Sequence, residues 1–260
     1  MPRYEFRKPR LYVDRTLAAG QSVPLDRDQG NYLTNVLRLA RGAELLVFNG
    51  RDGEWLARLA GGRKAVTADI GEQTRPQPAA PDLHFLFAPL KHARLDYLVQ
   101  KAVEMGASRL QPVLTQHTQV ARINLDRMRA NAIEAAEQCG VLSLAEVAQP
   151  VSFAAMLAGL DADRLLVFCD EDAEVKDPIA ALAAARKAPS ALLPADTAAA
   201  SPLAVLIGPE GGFSEEERAQ LLAFRNVVRL ALGPRILRAD TAAVAALALV
   251  QAVLGDWRKT

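Results

Sequence analysis

The sequence predicts an α/β protein in which a parallel sheet with covering helices follows a smaller, β-rich amino-terminal part. The run Leu203–Ile207 has no polar position, which is typical of a central strand buried on both faces. From residue 83 onward, strand-like and helix-like segments alternate, as they do in α/β sheets. Residues 20–75 instead hold short strand-like runs that end at the hairpin signals Asn-Gly (49–50) and Gly-Gly (61–62).

The composition fits a folded intracellular protein of one large or two modest domains. Of 260 residues, 50% are hydrophobic and 23% charged, so a sizeable core is expected. The net charge of +1 argues against indiscriminate coating of nucleic acid but leaves room for local basic patches. Two cysteines make no disulfide framework, and neither a signal peptide nor a membrane span is evident. We therefore expect a cytoplasmic location, and three scattered histidines predict no metal site.

The first fifteen residues combine basic and aromatic side chains, which suits phosphate contact and base stacking. The basic residues are Arg3, Arg7, Lys8, Arg10 and Arg15, and the aromatic ones are Tyr4, Phe6 and Tyr12. A solvated amino-terminal strand is the alternative interpretation.

Further along, strands are predicted at 44–48, 54–59 and 64–70, and a short amphipathic helix is predicted at 31–39, with Leu33, Val36 and Leu37 on one face.

The predicted domain boundaries are 1–72 for the β-rich domain, 73–82 for a linker and 83–260 for the α/β domain. The linker contains Pro76, Pro78 and Pro81 and has no apolar pattern. In the second domain we expect strands at 83–87, 109–113 and 164–169, and helices at 94–104 and 125–139. Residues 180–202 are rich in Ala and Pro and hold no motif, so their second half is interpreted as a surface insertion.

A glycine-rich loop follows the buried strand Leu203–Ile207. Gly208, Gly211 and Gly212 permit positive φ and leave main chain bare for a ligand. Ser214 followed by Glu217 forms a capping box, so a helix is predicted to start at residue 215. Because ligands of open α/β sheets bind at the carboxyl ends of strands, this loop predicts a small-molecule site.

A second loop repeats this plan. A strand at 227–232 is broken by Gly233, and Asp240 or Thr241 is expected to cap a helix at 242–254. Arg235 and Arg238 lie between the break and the cap, in a setting that packing alone does not explain. A surface ion pair between Arg238 and Asp240 is the alternative. The helix is almost entirely Ala, Val and Leu, which predicts burial in a core or in an interface between subunits.

The loop sequences IGPEGGFSEEE and LGPRILRADTA resemble the two signature motifs of the ribosomal small-subunit methyltransferase E family, and the resemblance spans nearly the whole chain. It implies a carboxyl-terminal SPOUT-type domain with a trefoil knot that holds S-adenosylmethionine, and an amino-terminal PUA-like β-barrel. The implied activity is methylation of N3 of a uridine in 16S ribosomal RNA by a homodimer. Two alternatives are a SPOUT methyltransferase acting on another RNA, and a non-catalytic RNA-binding assembly factor.

The resemblance also implies roles for individual residues. Main-chain contacts to the cofactor are expected from Leu206, Gly208, Gly211, Leu230, Leu232, Gly233 and Leu237. Contacts to RNA are expected from Arg7, Arg10, Arg38 and Lys91. The catalytic roles are instead a hypothesis from the clustering of charges in the two loops, in which Arg235 or Arg238 would stabilise the uracil anion and Asp240 or Glu210 would accept a proton or orient the arginine. The chain departs from the family at Val141, where an arginine is usual, and at Asn31 and Tyr32, where many members have histidine.

Overall fold

The structure, a computed structural model, describes residues 7–62, 65–120, 122–173, 177–186 and 202–259. These residues form two compact units. Unit 1 contains the described residues up to Ala80 together with Ile133–Leu144, and unit 2 contains those of Pro81–Ala132 and Ala145–Thr260. Ile133–Leu144, which the sequence analysis assigned to the second domain, therefore belongs to unit 1. Arg3, Tyr4 and Phe6 of the basic and aromatic amino-terminal segment lie outside the described residues, and so do residues 187–201, which contain nearly all of the predicted insertion.

Unit 1 is built on a five-stranded sheet with the order β1-β3-β4-β5-β2. The strands are β1 (Arg10–Tyr12), β2 (Ser22–Pro24), β3 (Glu44–Phe48), β4 (Glu54–Gly62) and β5 (Ala65–Arg75). β3 and β4 pair antiparallel, and at their turn the Asn49 side chain donates to the Asp52 carboxylate at 2.6 Å. The hairpin predicted at Asn49 is thus confirmed. β5 extends three residues into the predicted linker, because Arg75 is held by an ion pair to Glu54.

The helical segments of unit 1 are α1 (Arg27–Asn31) and a π-helix (Tyr32–Val36) that continues it. The bounds predicted for this helix, 31–39, are wrong. It begins earlier because Asp26 caps it, and it ends earlier because Arg38 has a φ of 55°. Leu33 is buried as predicted, but Val36 is 62% exposed, so the predicted common face is only partly correct.

Unit 2 is an α/β unit with a parallel sheet, as predicted. Its main strand order is β12-β10-β11-β6-β7-β8, and β9 pairs with β7. The strands are β6 (Leu83–Phe87), β7 (Arg109–Leu114), β8 (Glu146–Val147), β9 (Val151–Ser152), β10 (Leu165–Cys169), β11 (Leu203–Ile207) and β12 (Val227–Leu230). All the pairs are parallel, and β11 lies between β10 and β6 with every residue buried. The apolar run at 203–207 is therefore the central strand that the sequence predicted.

The helices of unit 2 are α2 (His92–Glu104), α3 (Leu125–Cys139, shared with unit 1), α4 (Phe153–Gly159), α5 (Pro178–Arg186), α6 (Glu215–Leu222) and α7 (Ala239–Val253), and a 3₁₀-helix follows at Asp256–Lys259. The start of α6 is confirmed. α7 begins three residues before the predicted start, with Arg238 at its N-cap, so neither Asp240 nor Thr241 caps it. The Asp240 carboxylate accepts hydrogen bonds from Arg94 instead.

A phenylalanine-rich core anchors the first glycine loop to the sheet of unit 2. Phe213, at the end of that loop, is only 6% exposed and packs edge-on against Phe168 of β10, with ring centroids 5.1 Å apart. Burying a side chain of this size is worth about 1.5–3 kcal/mol.

None of the helices in the described ranges has both the length and the apolar character that crossing a membrane requires. The trefoil knot stays a prediction.

Candidate functional site

The first glycine loop, residues 208–214, folds back tightly after β11. The Gly212 amide donates to the Pro209 carbonyl at 3.0 Å, and Gly212 has a φ of 69°. A Cβ on Gly208 would lie 2.5 Å from the Phe213 ring, so only glycine fits there. Gly208 is thus needed for packing, whereas Gly211 is exposed.

Two side chains flank the glycine turn. Nδ1 of His117 lies 3.1 Å from the Gly212 carbonyl oxygen, and the Glu171 carboxylate is 3.1 Å from the position of a Cβ on Gly212. A carbonyl oxygen only accepts, so Nδ1 carries the proton and donates, which fixes the ring against the loop.

The loop leads into α6 through the predicted capping box. The Ser214 hydroxyl accepts from the Glu217 amide at 3.2 Å, and the Glu217 carboxylate accepts from the Ser214 amide at 3.0 Å. Glu217 also accepts from the main-chain amide of Gln116 at 2.8 Å, in the segment that follows β7. These bonds hold the end of the loop in place.

The second loop, residues 231–238, is open. Gly233 has a φ of 99° and is exposed, and no atom of the described residues lies within 4 Å of a Cβ placed on it. Ile236 is 87% exposed. Arg235 and Arg238 are exposed as well, and neither side chain forms an ion pair with any residue in the described part of the chain. The loop therefore presents two guanidinium groups and bare main chain to its surroundings.

One guanidinium group joins a carboxylate of the first loop to a carboxylate in the first turn of α7, just after the second loop. Arg94, in the first turn of α2, donates from Nε to Oδ2 of Asp240 at 2.9 Å and from Nη2 to Oδ1 at 3.2 Å. Its Nη1 donates to Oε1 of Glu210 in the first loop. The alternative pairing of Arg238 with Asp240 is therefore wrong.

Arg94 was missed in the sequence because it belongs to a helix whose apolar face explained the pattern. One signal was available. A cation in the first turn of a helix opposes the helix dipole and is unfavourable unless an anion compensates for it. No acidic residue occupies that turn of α2, so the compensation has to come from elsewhere in the chain.

The network sets the charge state of Asp240. The hydrogen bonds from Arg94 lower the pKa of this carboxyl group below its ordinary value, although partial burial opposes the shift. A carboxylate of lowered pKa is a poor proton acceptor. Both of its oxygens also accept from Arg94, so Asp240 is better placed to orient that guanidinium than to act as a general base.

The residues predicted to contact a cofactor fall into two groups. Leu206 and Leu230 are fully buried in β11 and β12, and the Leu230 carbonyl already accepts from the Asp170 amide at 3.0 Å. Leu232 and Leu237 are half-buried in the second loop. The loop positions are thus open to a ligand, whereas the two strand residues are engaged within the sheet.

The residues predicted to contact RNA are also divided. Arg7, Arg38 and Lys91 are exposed, and Lys91 is the N-cap residue of α2. Arg10 is 7% exposed, and its guanidinium donates to the buried carboxylate of Glu54 at 2.6 Å. This burial argues against direct contact between Arg10 and RNA.

Comparison with known proteins identifies the class to which this fold and site belong. Residues 77–251 match the sequence profile of a family described as "RNA methyltransferase domain", and residues 25–71 match one described as "RNA methyltransferase PUA domain". The chain belongs to this RNA methyltransferase family. The loops after β11 and β12 both lie within the matched segment.

Individual relatives make the placement more specific. Proteins named ribosomal RNA small subunit methyltransferase E are 31% identical in Synechocystis sp., over 94% of this chain and 78% of the relative, and 28% identical in Rickettsia conorii, over 93% and 94%. The enzyme of that name from Neisseria gonorrhoeae, solved bound to S-adenosyl methionine, is 26% identical with a TM-score of 0.80, over 96% of this chain and 99% of that one. The resemblance noted in the two loops is thereby confirmed.

Proposed function

We propose that the protein transfers the methyl group of S-adenosylmethionine to N3 of a uridine in 16S ribosomal RNA of the small subunit. The observation that carries the proposal is that Arg94 joins Glu210 of the first glycine loop to Asp240, which follows the second loop in the first turn of α7. Membership of the RNA methyltransferase family and the named relatives support the reaction class.

The loops have the features that this cofactor requires. Exposed main chain at Gly211 and Gly233, with Gly208 between strand and loop, supplies donors and acceptors for an adenine and an amino acid moiety. Half-buried Leu232 and Leu237 supply apolar surface, while Leu206 and Leu230 hold the strand ends. When bound, S-adenosylmethionine supplies a methyl group already activated by its sulfonium, so the protein mainly has to position it.

The protein also has to deal with the N3 proton of uracil, which is retained at neutral pH. Removing it places negative charge on O2 and O4, and a nearby guanidinium would stabilise that charge. Arg235 and Arg238 are suited to this because both are exposed and available. Asp240 orients Arg94, and the more exposed Glu210 remains the candidate proton acceptor of the two carboxylates.

Exposed Arg7, Arg38 and Lys91 are proposed to contact the RNA phosphates. Each such contact releases counterions, so its loss should weaken binding and reduce the dependence of affinity on salt. A ribosomal RNA substrate further implies a cytoplasmic location.

The experiment is to incubate the purified protein with labelled S-adenosylmethionine and either unmodified small subunits or bare 16S RNA, and then identify the methylated nucleoside. N3-methyluridine is the expected product. Arg238→Ala should lower the single-turnover rate far more than the affinity for S-adenosylmethionine. Methylation of a ribose or of another base would refute the proposed specificity, and absence of cofactor binding would favour a non-catalytic RNA-binding factor.

A homodimer is the proposed assembly. On α7, the apolar residues left half-exposed are Ala242, Val244, Ala245, Ala248, Leu249 and Val253. Trp257, just beyond this helix, is 48% exposed. An apolar surface of this kind commonly marks an interface. Sedimentation equilibrium should give a dimer that Leu249→Asp dissociates, and a monomeric wild type at micromolar concentration would contradict the proposal.

A further inference from the structure

The position of Arg94 calls for a functional explanation. Its side chain is 31% exposed and lies in the first turn of α2, next to the exposed N-cap residue Lys91. Basic side chains at this end of a helix oppose the dipole, so Arg94 does not serve the stability of its own helix. A local departure from favourable placement of this kind is expected where function requires it.

The two carboxylates that Arg94 contacts differ in how firmly they are held. Asp240 is 18% exposed, belongs to the first turn of α7, and also accepts from the Thr241 amide at 2.9 Å. Glu210 is 51% exposed and lies in the first glycine loop. The pair with Asp240 is therefore the fixed end of the network, and the contact with Glu210 is the end that a loop movement would release.

We propose that Arg94 is a positioning residue, which sets the loop carrying Glu210 in register with the amino-terminal end of α7. Both loops then present their main chain and charged groups to one ligand. A guanidinium is suited to binding both carboxylates at the same time, because its rigid fork donates to one carboxylate at two points and still offers a donor to the other. This inference rests on the proposed methyl transfer and adds to it a residue that touches neither reactant.

A second ion pair on the same helix provides a matched control. Asp96, two residues after Arg94, accepts from Arg127 of α3, with Nη2 to Oδ2 at 2.6 Å and Nε to Oδ1 at 2.9 Å. This pair has comparable two-point geometry but involves neither glycine loop. Arg127→Gln therefore removes a similar bond from α2 without touching the site.

The test compares Arg94→Gln, Arg94→Lys and Arg127→Gln in thermal stability, in affinity for S-adenosylmethionine by calorimetry, and in the single-turnover rate at saturating cofactor. Because a displacement of about 1 Å can cost on the order of 100-fold in rate, Arg94→Gln should lower the rate by about 10- to 100-fold. Arg94→Lys should restore only part of it, and Arg127→Gln should leave it unchanged. Added guanidinium ion should partly rescue an Arg94→Ala variant.

Double variants sharpen the result. If Arg94 acts through its pair with Asp240, Asp240→Asn should cost little more in the Arg94→Gln background than that variant does alone. Glu210 is left unchanged in this test because it is also the proposed proton acceptor. Equal rates for Arg94→Gln and Arg127→Gln, or fully additive effects, would overturn the inference while leaving methyl transfer by the wild type intact. A wild type that neither binds the cofactor nor methylates RNA would instead refute the proposed function.

Discussion

Arg10 and Glu54 form a buried ion pair in unit 1, with Nε donating to Oε2 at 2.6 Å and side-chain exposures of 3% and 4%. The same carboxylate accepts two bonds from Arg75, at 2.9 and 2.6 Å, and one from the Thr74 hydroxyl at 2.9 Å. Arg75 in turn donates to the carbonyl of Gly140, at the end of α3. Glu54 is therefore the centre of a network that ties Ile133–Leu144 to the sheet of unit 1.

Replacing Glu54 by Ala should strongly destabilise the protein. The change leaves the buried guanidinium of Arg10 without its carboxylate, and breaking a buried pair in this way typically costs about 3–5 kcal/mol. Arg10→Met should cost less, because Glu54 keeps Arg75 and Thr74. Urea denaturation followed by circular dichroism measures both. If Arg10→Met proved harmless to stability but abolished RNA binding, the RNA role first predicted for Arg10 would be restored.

A change of Arg38 to Gly should stabilise the fold and weaken RNA binding. Arg38 is the only residue other than glycine with positive φ in the described parts of the chain, and it follows the π-helix where glycine is usual. Relieving this strain should be worth about 1 kcal/mol. Thermal unfolding and RNA affinity at several salt concentrations provide the two measurements.

The matched control is Arg38→Ala, which removes the guanidinium but keeps the strained conformation. It should weaken RNA binding as much as glycine does, without the gain in stability. If both variants bound RNA as the wild type does, Arg38 would have no part in the interface, and its conformation would need another explanation.

Glu137 should make the stability of the protein fall as the pH rises toward neutrality. Burial raises the pKa of this carboxyl group to about 7, with a further contribution from the charge of Glu134 and an opposing hydrogen bond from the Tyr12 amide. In the unfolded chain the pKa of this group would be about 4.3. The protonated form thus favours the folded state, so its contribution is full below the unfolded pKa and is lost as the pH rises through about 7.

Glu137→Gln retains the oxygen that accepts from Tyr12 but cannot ionise. Its unfolding temperature should match that of the wild type near pH 4.5 and exceed it at pH 8, as measured by scanning calorimetry. Glu134→Gln should lower the pKa of Glu137, so the fall in stability of this variant should end at a lower pH and be smaller than that of the wild type. A constant difference between wild type and Glu137→Gln across this range would show that Glu137 titrates normally.

The features that the sequence predicted correctly are those determined locally. The strand at 203–207, the glycine turn and the capping box of Ser214 and Glu217 all lie within fifteen residues, and each has its own chemical signature. The early end of the helix near residue 31 was not predictable in this way, because a π-helical turn has no strong residue preference and the positive φ that follows it falls on Arg38 instead of the usual glycine.

The partners of charged residues were not predictable, because they are distant in the chain. Arg94 and Asp240 are separated by 146 residues, and Arg10 and Glu54 by 44. The sequence pattern of a basic residue near the amino terminus is the same whether its side chain contacts RNA or a buried carboxylate. Only the fold distinguishes Arg10, which is inside, from Arg38, which is outside.

The two loops should respond differently to an added methyl group. In Gly208→Ala the new Cβ would lie 2.5 Å from the Phe213 ring, which is held in the core against Phe168, and such overpacking typically costs about 1–3 kcal/mol. In Gly233→Ala the new Cβ would have no atom of the described residues within 4 Å, so only the strain of a φ of 99° remains, about 1 kcal/mol or somewhat more.

Thermal unfolding with and without S-adenosylmethionine separates these effects. Gly208→Ala should unfold at a lower temperature than Gly233→Ala, because its clash is with the packed core. S-adenosylmethionine should raise the unfolding temperature of both variants less than that of the wild type, since each change adds a methyl group to a residue whose main chain is proposed to bind it. If Gly208→Ala unfolded at the same temperature as the wild type, the Phe213 ring would have to move aside at no cost. The buried ring could then not be what holds the first loop against the core.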